Sequence, residues 1–272
     1  TIPRIAPGDH DSWHDAWRQT ADRVFAAAER SEAAGHLVSA RDGYLRAVTY
    51  YRTSGVFLYR PPLDDRFVDA FRRQQGAFRR AAALSDWRIE TVEIPYENTT
   101  LPGYFMAPAG AQSLPTLIIT NGYDGTIEEL YFSGGLDALQ RGYACLVFDG
   151  PGQGGAFIEQ GMVFRPDWEA VVTPVVDWLI ERPEVDPVRI ALMGRSWGGY
   201  LAPRAASGEH RLAALIADAA QYDPGGRVAM FFPEEYRDRL DTLDPAEING
   251  MMDAAMAQSP YLEFSIQRGR LV

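Results

Sequence analysis

The sequence predicts an α/β fold in which a mostly parallel, doubly wound sheet follows an N-terminal helical domain. Apolar side chains recur at helical spacing through residues 11–84. Two segments with period-two alternation come next, and apolar strands then alternate with helical segments, a pattern typical of a parallel sheet covered on both faces. We place the helical domain at residues 1–85 and the sheet domain at residues 86–272.

The N-terminal domain is predicted to contain three helices, over residues 12–35, 39–55 and 64–83. In the first helix Trp13 and Trp17 lie four residues apart and begin an apolar stripe. No self-similarity at a fixed period is present, which argues against a helical repeat. We interpret this region as a cap or flanking domain.

The sheet domain is predicted to begin with an antiparallel pair of strands, because both segments alternate and a turn-prone Asn-Thr-Thr separates them. Four continuous apolar strands follow. The predicted strands are residues 87–97, 101–108, 115–122, 143–150, 188–194 and 212–218, with helices near 127–141, near 167–182 and from 197.

The charge balance limits the partners of the protein. A formal charge of −11 at pH 7 opposes nonspecific attraction to nucleic acid or to anionic lipid. The apolar runs are far shorter than the roughly 20 residues that span a bilayer, and no signal peptide is visible. We therefore expect a soluble protein that acts on a small molecule, with no nucleic-acid or membrane partner.

Two features of the composition limit the chemistry. The single cysteine, Cys145, excludes an internal disulfide and lies in a predicted core strand, which favours a cytoplasmic location. All 26 basic residues are arginine, so lysine Schiff bases, lysine-anchored cofactors and a P-loop are excluded. We predict that the protein uses no cofactor and no metal.

The pentapeptide 194–198 reads Gly-Arg-Ser-Trp-Gly, a Gly-x-Ser-x-Gly motif, and it lies where a predicted strand ends and a helix begins. In that context a strained turn raises the serine hydroxyl above the sheet. Glycines on either side allow the tight turn and the close approach of the helix. We predict that Ser196 is a nucleophile, with an ordinary turn serine as the alternative.

A serine that attacks a carbonyl also needs donors for the oxyanion that forms. The backbone N–H of Trp197, at a helix N-terminus, is one candidate, and the N–H of Tyr123, after an earlier strand, is the other. We interpret Asn121 and Asp124 as residues that shape the turn beside Tyr123. The segment 149–154, Asp-Gly-Pro-Gly-Gln-Gly, is interpreted as a structural turn, with a contact to substrate as the alternative.

Several segments together resemble the alpha/beta-hydrolase group that includes 2,6-dihydroxypseudooxynicotine hydrolase, fungal polyketide-shortening hydrolases and proteins similar to the fermentation-respiration switch esterase. The resemblance covers about residues 35–225 and rests on the order of the segments 35–51, 121–130, 149–154 and 182–206.

This resemblance implies an alpha/beta-hydrolase fold with an N-terminal helical cap over the site. It implies a serine-dependent hydrolase that cleaves either an ester or the carbon–carbon bond beside a ketone, on an aromatic or polyketide-like substrate. It also implies a homodimer.

The expected partners of Ser196 are not evident in the sequence. In this fold the acid and then the histidine follow the serine along the chain. His210 is the only histidine that follows it, and it lies at the sheet end opposite the site. Asp223 is a candidate acid or substrate contact, but we favour a plain turn, because its setting at 222–226 is well suited to one. The other histidines, His10, His14 and His36, lie in the helical domain.

Three explanations stay open: the chain is the N-terminal portion of a longer protein, a second chain completes the sheet, or the triad has degenerated. We favour the first, because an apolar last strand would otherwise be an edge. Two alternatives to a carbonyl hydrolase also stay open. One is a noncatalytic binding or assembly module that keeps the fold, and the other is a peptidase of the same fold.

Overall fold

The computed structural model describes residues 1–230, 232–258 and 260–271. Within them a single six-stranded sheet has the strand order β1-β2-β4-β3-β5-β6. The strands β1 and β2 are antiparallel, β2 is antiparallel to β4, and all other neighbours are parallel. The strands are Arg88–Tyr96 (β1), Thr99–Ala107 (β2), Leu114–Thr120 (β3), Ala144–Phe148 (β4), Val185–Arg195 (β5) and Ala214–Asp218 (β6).

The helices agree with the predicted alternation. Three precede the sheet, and the others connect its strands or follow the last strand. They are His10–Ala33 (α1), Leu37–Gly55 (α2), Asp65–Ala83 (α3), Ile127–Leu130 (α4), Leu136–Gln140 (α5), Gly154–Ile158 (α6), Glu169–Ile180 (α7), Gly198–Ala206 (α8), Pro224–Ala229 (α9), Pro245–Met256 (α10) and Pro260–Gly269 (α11).

Side-chain caps fix two of the N-terminal helices. Asp9 accepts hydrogen bonds from two backbone N–H groups of α1, and Asp64 does the same for one N–H of α3. The predicted start of α2 at Ser39 was wrong by two residues. The left-handed Gly35, with φ of +78°, turns the chain so sharply that His36 already occupies the N-cap.

The strand β4 shows why its sequence is a continuous apolar run. All five of its residues are buried. Leu146 belongs to the hydrophobic cluster on the α7 and α8 side of the sheet, whereas Cys145 and Val147 belong to the cluster on the other side. The strand therefore packs on both faces, as the sequence pattern predicted. Burial also raises the pKa of the Cys145 thiol, which agrees with a core role.

The N-terminal helices share a hydrophobic cluster with the sheet. Tyr51 of α2 and Phe78 of α3 pack in the same cluster as Tyr104 of β2 and Ile119 of β3. The ring centroids of Phe78 and Tyr104 are 4.6 Å apart. These helices therefore cover one face of the sheet as well as reaching the loops at its carboxyl edge.

The strand β6 forms one edge of the sheet, and helices follow it in the chain. β6 pairs with β5, and its Leu215 and Ile216 are 42% and 46% exposed. After β6 the described residues form α9, a 3-10 helix over Glu234–Thr242, α10 and α11, joined by short connections. The helix α11 packs against the segment after α2, where the Phe264 and Phe57 ring centroids are 5.3 Å apart. In the described parts of the chain, each helix is too short or too polar to span a bilayer.

Candidate active site

Ser196 lies in a sharp turn between the end of β5 and the start of α8. Its φ of +58° is in the left-handed region, which is strained for a residue with a side chain. The Ser196 N–H donates to the carbonyl of Asp218 at 2.6 Å, so the turn is also tied to the end of β6. Ser196 is exposed. The predicted strand, strained turn and helix are therefore present, with the serine at the surface.

Glycines allow this turn because no side chain has space there. A Cβ on Gly194 would lie 1.8 Å from the carbonyl oxygen of Gly198. A Cβ on Gly198 would lie 2.7 Å from the carbonyl oxygens of both Thr120 and Asn121. The motif glycines thus permit α8 to cross directly over the ends of β5 and β3.

The loop after β3 lies directly beside the serine. A Cβ on Gly122 would lie 3.1 Å from Ser196 Oγ and 3.2 Å from the backbone nitrogen of Trp197. Trp197 occupies the N-cap position of α8, and Tyr123 follows Gly122. The structure thus brings together the serine and both segments that were predicted to donate to an oxyanion.

Side chains from the loop itself and from the N-terminal helices hold this loop in place. The buried Asn121 accepts from the Gly122 N–H at 2.8 Å and donates to the Thr126 carbonyl at 3.1 Å. Gln74 of α3 donates to the Thr126 hydroxyl at 2.6 Å. Arg52 of α2 donates to the Asp124 carbonyl at 2.7 Å. The predicted turn-shaping role of Asn121 agrees with these contacts.

Asp124 has a second cationic partner besides the backbone contact with Arg52. Its carboxylate forms an ion pair with Arg268 of α11, which also donates to the Val56 carbonyl at 3.0 Å. Arg52 in turn pairs with Glu129 at 2.7 Å. Asp124 is therefore a structural link between the loop and two other elements, which agrees with its predicted role in shaping the turn.

The segment 149–154 is a buried turn, as predicted. Asp149 and Gln153 are fully buried. One Asp149 oxygen accepts from the Gly155 N–H at 2.8 Å, while the other is buried without a hydrogen bond among the described residues. Burial, together with the nearby charge of Glu128, raises the pKa of Asp149 well above its ordinary value.

This buried carboxyl gives a pH prediction. Because its pKa is raised in the folded state, its contribution to stability is complete below the unfolded pKa of about 4 and is lost as pH rises through the folded pKa. The Asp149→Asn variant should keep the bond from Gly155 and lose this pH dependence. We expect its free energy of unfolding, from urea titrations, to fall less than that of the unmodified protein as pH rises from acid to neutral.

The control is Asp186, whose pKa is lowered by a hydrogen bond from Arg189. Its contribution to stability has the opposite sign: it is present above the unfolded pKa and is lost as pH falls. The Asp186→Asn variant should therefore gain no stability at neutral pH. An Asp149→Asn variant with the same pH dependence as the unmodified protein would contradict the prediction.

The candidate acid, Asp223, is exposed and accepts from the Gly226 N–H at 2.8 Å, so it caps the turn into α9. The neighbouring Gln221 contacts the site, because its side chain donates to the Ser196 carbonyl at 2.8 Å. This geometry favours the plain-turn alternative for Asp223.

The histidines lie elsewhere in the fold. His14 is buried against the Ser54 carbonyl at 3.1 Å, and His10 stacks on Phe57. His36 is the N-cap of α2, and the exposed His210 precedes β6. Across residues 1–230, 232–258 and 260–271, none of them forms a hydrogen bond with the Ser196 hydroxyl.

Sequence reasoning missed the contacts of Gln153, Gln221 and Arg268. Gln153 lies between two glycines in a segment that was interpreted only as a turn, and Arg268 lies 144 residues from its partner Asp124. A local pattern carries no signal for contacts at such separations, so only the fold reveals them.

Comparison with known proteins identifies relatives of this chain. The profile of the X-Pro dipeptidyl-peptidase (S15 family) matches residues 98–231. The chain is 40% identical to a hydrolase of Fusarium sp, over 80% of this chain and 54% of that protein. It is 41% identical to the 20-hydroxy-prefusarin hydrolase of Gibberella moniliformis, over 76% of this chain and 51% of that protein.

Among solved structures, 2,6-dihydroxy-pseudo-oxynicotine hydrolase is similar with a TM-score of 0.73 and 30% identity, over 83% of this chain and 62% of that one. The chain spans about half the length of the curated relatives that it matches. These similarities confirm the predicted resemblance. Together with the strand order, they show that the chain has the alpha/beta-hydrolase fold.

Proposed function

We propose that the protein is a serine hydrolase whose nucleophile is Ser196. The observation that carries this proposal is the strained, exposed serine at the β5–α8 turn, with Gly122 and the Trp197 nitrogen packed against it. Strain of this kind persists where the surrounding structure imposes it, and it is concentrated at functional sites. The same turn at the carboxyl edge of the sheet is where this fold places its nucleophile.

In the proposed reaction Ser196 Oγ attacks the substrate carbonyl carbon, and its proton passes to a general base. The carbonyl oxygen becomes an oxyanion, which accepts from the N–H groups of Trp197 and Tyr123. Collapse of this intermediate breaks the bond to the leaving group, which takes up a proton. Water then hydrolyses the acyl-enzyme and regenerates the serine.

The base is a separate requirement of this mechanism. No histidine of the described residues contacts the Ser196 hydroxyl, so we assign the base to none of them. The Asp223 carboxylate already accepts from the Gly226 N–H, so Asp223 is a better candidate for a turn cap than for the catalytic acid. The proposal therefore concerns the nucleophile and the oxyanion donors.

We further propose a neutral aromatic or polyketide-like carbonyl compound as the substrate, either an ester or a ketone with a cleavable carbon–carbon bond. Two relatives support this class by their names, which specify a 20-hydroxy-prefusarin hydrolase and a 2,6-dihydroxy-pseudo-oxynicotine hydrolase. The match to the X-Pro dipeptidyl-peptidase profile supports a peptidase as the second candidate. Homodimer formation and a cytoplasmic location stay predictions.

Fluorophosphonate labelling of the native protein tests the proposal. The probe bonds its phosphorus to an activated serine oxygen and releases fluoride, so peptide mapping should locate the adduct on Ser196. Ser207 provides an internal control, because its hydroxyl donates to the Arg204 carbonyl at 2.7 Å in a helix end away from the turn. Labelling of neither serine would favour the noncatalytic binding module, and equal labelling of both would show that Ser196 is not activated.

A further inference from the structure

The buried Gln153 bridges the two loops that meet at the carboxyl edge of the sheet. Its side-chain oxygen accepts from the Gly150 N–H at 2.9 Å and from the Thr120 hydroxyl at 3.3 Å. Its side-chain nitrogen donates to the Asn121 carbonyl at 2.6 Å. All of these groups are buried, so each bond is made in surroundings where a lost partner is costly.

The bond to Asn121 acts on one peptide unit. The carbonyl of Asn121 and the N–H of Gly122 belong to the same planar peptide. Gln153 holds the carbonyl end of this peptide, and the Asn121 side chain holds the N–H end at 2.8 Å. The rotation of the peptide is therefore fixed from both sides.

This peptide sets the direction in which the chain leaves β3 toward Tyr123. Gly122 is the residue in contact with Ser196, so a rotation of the peptide would displace the loop at the point where it meets the nucleophile. Gly198 of the turn also presses against the Asn121 carbonyl oxygen, since a Cβ there would lie 2.7 Å away. The Asn121 carbonyl oxygen therefore accepts from Gln153 on one side and packs against Gly198 on the other.

We infer that Gln153 is a positioning residue that sets the geometry of the oxyanion donor on Tyr123. This inference rests on the proposed function. Gln153 is buried and does not touch substrate; it acts through the Asn121–Gly122 peptide. Removal of an oxyanion donor typically costs about 10²-fold to 10³-fold in rate, so a misplaced donor should cost about 10-fold to 100-fold.

The Gln153→Glu variant tests the inference with a change of nearly identical shape. An ionised carboxylate would place an acceptor against the Asn121 carbonyl, which repels it, whereas the protonated acid can still donate. Burial would raise the pKa of the introduced carboxyl, as it raises that of Asp149. We therefore expect the maximal rate of fluorophosphonate labelling at Ser196 to fall about 10-fold to 100-fold only at pH values above that raised pKa, with the probe's binding constant little changed. The ratio to the unmodified protein should recover as pH falls.

Two further variants complete the test. Gln153→Met keeps the length but cannot donate, so its rate should be low at every pH. Gln160→Glu is the matched control, because Gln160 also donates to a backbone carbonyl, that of Thr100 at 3.0 Å, but at the exposed β1–β2 hairpin. It should label at the unmodified rate. Thermal unfolding of each variant reports whether it is folded.

The outcomes separate the inference from the proposed function. If the unmodified protein does not label at Ser196, the proposed function fails and the inference fails with it. If the unmodified protein labels and a folded Gln153→Met variant labels equally fast, only the inference is overturned. Loss of folding in both Gln153 variants would also overturn it, because the side chain would then support the fold and not the donor geometry.

Discussion

Replacement of Ser196 by alanine is expected to lower hydrolysis of a nitrophenyl acetate ester by at least about 10³-fold, because the proposed acyl-enzyme forms on the Ser196 hydroxyl. Residual activity would come from the oxyanion donors and substrate binding alone. The measurement is the initial rate of nitrophenol release by native protein and by the Ser196→Ala variant. A variant that retains more than about a tenth of the unmodified rate would contradict the assignment of the nucleophile, since nucleophile loss costs far more.

A stability comparison separates the loss of the hydroxyl from damage to the turn. Ser196 has a φ of +58°, and alanine keeps that strain whereas glycine relieves it. The Ser196→Gly variant should therefore be more stable than Ser196→Ala by about 1 kcal/mol in urea unfolding, while both lack activity. Equal stabilities would mean that the turn relaxes when the hydroxyl is removed.

The sequence was sufficient to predict the sheet and the turn because both depend on local patterns. A continuous apolar run such as β4 can be buried on both faces only in the middle of a sheet. The glycines at 194 and 198 predict the tight turn, because a Cβ at either position would overlap backbone. A Cβ on Gly194, for example, would lie 1.8 Å from the Gly198 carbonyl oxygen. Such constraints act within a few residues and can be read from one segment.

The contacts that hold the loop after β3 could not be predicted in this way. Gln153 meets Asn121 because β3 and β4 are neighbours in the sheet, although 32 residues separate the two in the chain. Arg268 meets Asp124 across 144 residues. Polar residues of this kind have no periodic signal, and their partners are set by the strand order and helix packing that bring distant loops together.

For the same reason, the sequence supports two interpretations of Asp223, a catalytic acid and a turn cap. Its position after β6 is where this fold can place an acid, and its sequence, Asp-Pro-Gly-Gly, also caps a turn. The bond that it accepts from Gly226 favours the turn. Position along the chain predicts the edge of the sheet on which a residue lies, but the direction of a side chain depends on its own hydrogen bonds.

Replacement of Gly194 by alanine adds one methyl group, and we expect it to lower the free energy of unfolding more than the other single substitutions discussed. The added Cβ would lie 1.8 Å from the Gly198 carbonyl oxygen and 2.6 Å from the Ala202 Cβ. Its neighbours are backbone and a Cβ, so no side-chain rotation can relieve the overlap. We expect a loss of about 3 kcal/mol or more in the free energy of unfolding, because overpacking against backbone forces α8 away from β5.

The matched control is Gly76→Ala in α3. Gly76 is exposed, and a Cβ there meets no atom within 4 Å. Alanine should therefore raise stability by about 0.5 to 1 kcal/mol, since it lowers the entropy cost of a helical glycine. If urea unfolding gives Gly194→Ala and Gly76→Ala the same stability, then α8 does not cross β5 as closely as described. Displacement of α8 would also move the Trp197 N–H, the proposed oxyanion donor, so labelling at Ser196 should slow. A folded Gly194→Ala variant that still labels at the unmodified rate would show that the proposed nucleophile tolerates a wider turn.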